Sequence, residues 1–363
     1  MSFHFLVLLM FAGAQNQTTA FDTLVRQAAG ARDGKRLAEA MSFYKKALAL
    51  KPDWDEGLWD YGSIAYDTDH FAECAPAFRK LTTLKPDLAP AWTMEGLCEF
   101  ALHDYNAALK SLRRTEALGF REPAELARAA RLHLALVLTK ASHFEKALVV
   151  LTDLTRSDQK TPEITVAAGI AGLRKPWLPA EVPETDRELV WRLGDAMASA
   201  MERDPKIAVE KFQAVIHDYP NEANIHFRYG AFLTLDSPEN GLMEIKKALD
   251  LDPDNIPALV NLAMVNIKQG TPQAGREYAE RAVQVSPGDF ATHLALGRVL
   301  LETGAPKEAA LQLEVAVKLA PESPEAHFSL ASAYGKLDLK ADAARERAEF
   351  MRLRKSIDSA NQP

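Results

Sequence analysis

The chain has 363 residues and a formal net charge of −7, with 47% apolar, 8% aromatic and 26% charged residues of both signs interspersed. That composition describes a well-packed, helix-favouring protein, and the length permits two ordinary domains. A mildly acidic chain without a stripe of clustered Lys and Arg is a poor ligand for nucleic acid, so that class is set aside.

Residues 1–21 contain no Asp, Glu, Lys or Arg, and the apolar run from Phe5 to Ala12 is too short to span a bilayer. Ala12-Gly13-Ala14 supplies a small-x-small cleavage pattern, which predicts a signal peptide over residues 1–14 and a mature chain beginning near Gln15. The protein is then exported, periplasmic or secreted. One feature is missing, because the opening residues carry His4 but no Lys or Arg. A cytoplasmic chain with an apolar N-terminal helix is the alternative. No Cys follows the run, which argues against a lipid anchor, and no stable membrane span is expected. Asn16-Gln17-Thr18 matches a glycosylation acceptor but abuts the cleavage point.

From Phe21 onward the apolar residues keep a helical spacing, broken at intervals of about 34 residues. Phe21 to Leu50 carries Ala40, Tyr44 and Ala47 and stops before Pro52. Asp55 to Leu88 carries Tyr61-Gly62, Phe71 and Phe78 and contains Pro86. Ala89 to Gly119 carries Trp92, Gly96, Tyr105, Ala108 and Leu112, and a fourth unit starts near Arg128 with His143 to Leu151 in its second helix. These form an N-terminal block, 15–156. Residues 157–187 loosen into a connector. A helix is predicted after Thr161 as N-cap and Pro162 at its first position, and then Pro176, Pro179 and Pro183 hold residues 175–183 in a stiff, polyproline-like stretch. That stretch is either a spacer or, through Trp177, an internal ligand of the array.

The second block, 188–355, is more regular. Ala208, Phe212 and Val215 mark one unit, Tyr229-Gly230 opens the next, and closing prolines stand at 220, 253, 287 and 321. The last unit, Pro324 to Leu353, ends in a helix rich in Arg and Glu, with Arg347 where earlier units bury an apolar side chain; it is predicted to be a polar cap. Residues 356–363 form a flexible tail.

The clearest unit is Phe290 to Ser323, where Leu296, Gly297, Leu300, Ala309, Leu313 and Ala316 describe two short amphipathic helices with a turn at Gly304 and a stop at Pro321. This resembles the tetratricopeptide repeat, a 34-residue helix pair with Leu-Gly in the first helix, Ala early in the second and a closing Pro. The resemblance implies an all-α fold, a right-handed α-solenoid of about nine helix pairs in two blocks. Gly or Ala at 62, 96, 230, 263, 297 and 331 then sits where two helices approach closely. Replacing Gly297 by Leu is expected to cost about 1–3 kcal/mol through overpacking.

In the family the fifth, ninth and twelfth residues of a repeat face a concave groove that holds extended or helical peptides. Carried onto this register, the groove residues are Trp59, Tyr66, Phe100, Phe227, Met264, Leu294, Arg298, Leu301 and Phe328. An apolar stripe of this kind marks an interaction surface, and replacing Phe227 and Phe328 together by Glu is expected to abolish binding with little loss of stability. Family members that clamp a chaperone carboxylate place Lys at the fifth and Asn at the ninth residue, and no repeat here does so. The implied function is a non-catalytic scaffold that binds a protein or peptide and assembles a complex at or outside the cell envelope. The alternatives are an accessory subunit of a glycosyltransferase or other carbohydrate-processing enzyme, and a self-associating structural protein.

Cys74 and Cys98, the two cysteines, fall on neighbouring helices, either as buried thiols or as a disulfide between repeats. His226, His293 and His327 all stand fourth in their repeats. Repeats separate them by about 10 Å, too far for shared metal ligation at about 2 Å per ligand, so they are read as packing residues. No P-loop, dinucleotide fingerprint, HExxH, GxSxG or CxxC is present. No catalytic residue, metal or cofactor is therefore assigned.

Overall fold

The computed structural model describes residues 19–120, 124–158, 160–202 and 204–360. The predicted signal segment, 1–14, the Asn16-Gln17-Thr18 tripeptide and residues 361–363 lie outside the described residues, and residues 356–360, expected in a flexible tail, instead continue the last helix. Among the described residues there are nineteen α-helices and no strand. The chain divides into two compact units after Arg187.

The first unit contains α1 (residues 19–33), α2 (Leu37–Leu50), α3 (Asp55–Asp67), α4 (Phe71–Leu84), α5 (Ala89–Ala101), α6 (Tyr105–Leu118), α7 (Ala124–Lys140), α8 (Phe144–Asp158) and α9 (Pro162–Gly172). The second contains α10 (Arg187–Met201), α11 (Pro205–Asp218), α12 (Ala223–Leu233), α13 (Pro238–Leu251), α14 (Ile256–Lys268), α15 (Pro272–Val285), α16 (Phe290–Glu302), α17 (Pro306–Leu319), α18 (Pro324–Lys336) and α19 (Lys340–Ala360). The helices α3/α4, α5/α6, α7/α8, α12/α13, α14/α15, α16/α17 and α18/α19 pack as pairs.

The 34-residue period is written in the backbone as well as in the side chains. The turn inside a pair carries one residue at positive φ at Lys35, Asp69 and His103 in the first unit and at Gly270, Gly304 and Asp338 in the second, whereas the α12–α13 turn has none. Glycine adopts this conformation without steric cost at 270 and 304, whereas the other positions accept some strain. Ser142 follows α7 with the same turn, and Arg174 follows α9. The helix α9 is therefore the first half of a further repeat, and it packs on α7 and α8.

Each pair closes over a small residue. A Cβ on Gly62 would meet the Phe78 ring at 2.7 Å, and one on Gly297 would meet Leu313 Cγ at 2.5 Å. At Gly230 the obstacle is backbone, because the Gly241 carbonyl oxygen would lie 2.7 Å away. A second device ties four of the repeats to the one before. His226, His293 and His327 donate Nε2–H to the carbonyls of Pro220, Pro287 and Pro321 at 2.9, 2.9 and 3.0 Å. Their Nδ1 atoms meet Glu244, Gln312 and Glu346 on the second helix of the same repeat at 2.6, 2.7 and 2.7 Å. Trp92, also fourth in its repeat, donates to the Pro86 carbonyl at 2.9 Å. The fourth position thus satisfies the carbonyl of the closing proline, which explains the histidine column without a metal.

The stretch after α9 differs from the expected polyproline rod. Residues Pro179–Glu181 and Glu184–Asp186 form single 3₁₀ turns, and Leu178 and Val182 are buried. The Glu181 carboxylate accounts for the difference. It accepts the Leu178 N–H at 2.7 Å, which closes the turn, and pairs with Lys140 Nζ at 2.6 Å, which pins the turn to the end of α7. Trp177 is half-buried, with Lys175 Nζ 5.7 Å from its ring centroid.

Between α4 and α6 the core of the first unit is partly polar. Arg79 donates to Glu95 at 3.2 Å and Glu99 at 2.6 Å, and Thr82 and Ser111 supply one hydroxyl to each carboxylate at 2.8 and 2.7 Å. Burial pushes the Glu95 carboxyl above its ordinary value, opposed by the Thr82 hydroxyl. Beside this seam Cys74 and Cys98 face each other across α4 and α5, fully buried, with Cα atoms 5.9 Å apart, a separation that a disulfide spans. At the C-terminal end Arg347 is exposed on α19, as a polar cap requires.

The small-residue contacts yield a paired prediction. Gly230→Ala should destabilise the protein by about 1–3 kcal/mol, because the backbone it meets cannot move aside. Gly335→Ala meets only the Arg347 side chain, at 3.5 Å, and should stabilise by up to about 1 kcal/mol through helix propensity. Urea unfolding of the two variants checks both signs.

Candidate functional site

Successive first helices touch one another: α3 with α5, α5 with α7 and α7 with α9 in the first unit, α14 with α16 and α16 with α18 in the second. Second helices of successive pairs show no such approach at the same level among the described residues. Helices that pack closer on one side of a stack bend it toward that side, so in each unit the first helices form the inner face.

In the first unit that face holds a cavity of about 720 Å³. Its apolar lining is Trp59 of α3, Leu81 of α4, Leu88 and Pro90 at the start of α5, and Leu126 in the first turn of α7. Trp59 is half-buried and held edge-on against Phe78, with ring centroids 5.5 Å apart. Its neighbours Glu56 and Asp60 stand three residues before and one residue after it, so all three share one side of α3. Asp55 and Lys85 complete the lining.

The charged groups at the mouth are organised. Lys85 Nζ lies 3.0 Å from Asp55 and holds that carboxyl below the usual range, with help from the Glu56 backbone N–H. Asp60 accepts a hydrogen bond from Tyr44 Oη and pairs with Arg32, both at 2.6 Å. Burial, reinforced by Asp60, pushes the Tyr44 phenol well above its ordinary value, so it remains a donor. Trp54, at the N-cap of α3, lies over Gly57 and against Phe21 and Tyr44, which fixes the start of α3 and the direction of its first turn.

The remaining residues assigned to the inner face from the sequence divide into two groups. Tyr66 and Phe100 are half-buried, Tyr66 against Phe71 at 5.7 Å and Phe100 between Tyr105 and His133 at 5.5 and 4.8 Å. Met264, Leu294 and Arg298 are half-buried on α14 and α16, and Phe328 is 55% exposed beside Phe350. Phe227 and Leu301 differ. They are 5% and 6% exposed, Phe227 among Ile245, Ala248, Ala258 and Leu262, and Leu301 in the core of the following pairs with Lys336 bonded to its carbonyl. The expectation that Phe227 stands open to solvent fails because the next repeat packs onto it. Sequence register found Trp59 but missed Asp55, Glu56, Asp60, Leu81, Leu88, Pro90 and Leu126. The positions flanking the fifth residue at helical spacing, Glu56 and Asp60, were the available signal; Leu126 belongs to a helix whose start the register did not locate.

Among the described residues no group of three His, Cys, Asp or Glu side chains could hold a metal ion, and no helix is long and apolar enough to cross a membrane. The geometry of the cavity places a buried apolar side chain beside carboxylates.

Residues 266–334 match the family model for the tetratricopeptide repeat. No curated protein matches the sequence significantly. Among solved structures, MamA residues 41 to the end from Desulfovibrio magneticus RS-1 is 20% identical, covering 44% of this chain and 92% of its own, with a TM-score of 0.40. A second MamA crystal structure is 19% identical over 45% of this chain and 96% of its own, with a TM-score of 0.40. The hetero-tetramer of the APC/C subunits Cut9 and Hcn1 covers 92% of this chain and 87% of its own at 12% identity, with a TM-score of 0.43.

The burial difference separates two substitutions. Phe227→Glu places a charge in the α12–α14 core and should cost at least about 3 kcal/mol. Phe328→Glu, at an exposed site, should change stability by no more than about 0.5 kcal/mol. Thermal melts of the single variants distinguish them.

Proposed function

We propose that this tetratricopeptide-repeat protein is a non-catalytic scaffold that binds a segment of a protein partner along the inner face of its first helices, with the cavity around Trp59 as the anchor. The observation that carries the reading is a cavity of about 720 Å³ with an apolar lining on that face. A pocket of this size buries large apolar side chains, and a row of half-buried aromatic groups, Tyr66 and Phe100, continues along the same helices. The exposed Phe328 offers a second contact in the other unit. Repeat stacking places these side chains on rigid helices, so little ordering opposes binding.

The scaffold is proposed to act outside the cytoplasm. An apolar, uncharged N-terminal segment ending in Ala12-Gly13-Ala14 supports export. The buried Cys74 and Cys98, placed at disulfide separation, suit an oxidising compartment.

Two measurements test these readings. Leu126→Trp fills the cavity from its α7 wall and should abolish capture of the partner by affinity purification, with melting unchanged; undiminished capture contradicts the cavity as anchor. N-terminal sequencing of the native protein should return a start near Gln15, and a start at Met1 or Ser2 contradicts export.

A further inference from the structure

The cavity on the inner face is apolar within and acidic at its mouth. Three carboxylates, Asp55, Glu56 and Asp60, line it against one cation, Lys85. Lys85 is engaged by Asp55 at 3.0 Å, and Arg32, from outside the lining, is engaged by Asp60 at 2.6 Å. Glu56 is exposed and accepts a hydrogen bond from the Trp54 indole N–H at 3.4 Å. Among the described residues it has no ion pair.

Helix N-termini meet at this mouth and by their dipoles alone would favour an anion. At three positions there the donor is already used or missing. The Glu56 N–H is bonded to the Asp55 carboxylate at 3.1 Å, Pro90 has no N–H, and the Ala91 N–H is bonded to the Leu88 carbonyl at 3.1 Å. An incoming carboxylate would find no backbone donor at these positions and would face Glu56 and Asp60. An incoming ammonium or guanidinium would find Glu56 uncompensated and the Trp59 ring between two acidic residues, a combination of ion pairing and ring electrostatics that favours cations.

We infer that the occupant is a segment of a partner protein carrying a large apolar side chain next to a lysine or arginine, with the apolar group seated against Trp59, Leu81 and Leu126 and the cation at Glu56. This rests on the cavity being the anchor of the binding face. It gives the site a charge preference opposite to that of a carboxylate clamp, and it makes binding sensitive to salt, since the pairing takes place at an exposed mouth.

Fluorescence anisotropy of the full chain with three fluorescein-labelled nine-residue peptides tests the inference. All are Gly/Ser chains: the first has a central Leu flanked by two Lys on each side, the second replaces those Lys by Glu, and the third keeps Lys but has Gly at the centre. The first should bind at least about ten-fold more tightly than either of the others. Glu56→Lys, a substitution at an exposed position, should remove the preference for Lys over Glu while leaving the melting temperature unchanged. Equal or tighter binding of the Glu peptide, or a preference that survives Glu56→Lys, overturns the cation assignment and leaves the cavity as anchor standing. Equal binding of the Leu and Gly peptides overturns the apolar anchor itself. A dimer in light scattering that Leu126→Trp converts to monomer would show that a second copy of the chain is the occupant and would also overturn the inference.

Discussion

Everything in this protein depends on two helices lying close enough that no side chain fits between them at one point. Gly297 against Leu313 and Gly230 against the Gly241 carbonyl are the sharpest instances. That approach sets the crossing of each pair, and the fourth residue then ties the pair to the previous repeat by a bond to the closing proline's carbonyl, through Trp92 or through His226, His293 and His327. Because backbone obstructs at Gly230 and a buried leucine at Gly297, the geometry is fixed by volume, which is unforgiving in a close-packed interior. First helices consequently approach one another from α3 to α9 in the first unit and from α14 to α18 in the second.

The inner face acquires its chemistry from positions that packing leaves unused. On α3 the buried side goes to Leu58, Tyr61, Ile64 and Ala65, which leaves Glu56, Trp59 and Asp60 on the other side. Trp59 cannot be withdrawn into the core, since Phe78 already fills the space behind it. Asp60 is fixed by Arg32 and Tyr44 from the preceding repeat, so the acidic mouth is part of the framework and needs no rearrangement before a partner arrives. A preformed cavity with fixed charges gives selectivity at a small entropic cost.

Much of this was legible in the sequence, for identifiable reasons. Helix pairs, the framework glycines and the closing prolines follow from a period that repeats along the chain, and the polar nature of α19 follows from Arg347 standing at a position that is otherwise apolar. Individual exposure was less legible. Phe227 and Phe328 occupy equivalent positions, yet one is buried by the repeat that follows and the other lies beside the terminal helix. Prolines dominate the connector's local preferences and favour a rod, whereas a single long-range pair, Lys140 with Glu181, selects 3₁₀ turns. The helix α9 was assigned to that connector because it is apolar all round and lacks a partner helix in sequence, although Arg174 gives it the same closing turn as the other first helices.

The inner face is proposed as the surface that a partner contacts. Site-specific photo-crosslinking addresses this directly, with a benzophenone side chain placed in turn at Leu126, on the cavity wall, and at Val149, which is 62% exposed on the second helix α8. Irradiation in the native extract should join a partner to the chain from position 126 and not from position 149. Crosslinks from 149 with none from 126 would contradict it.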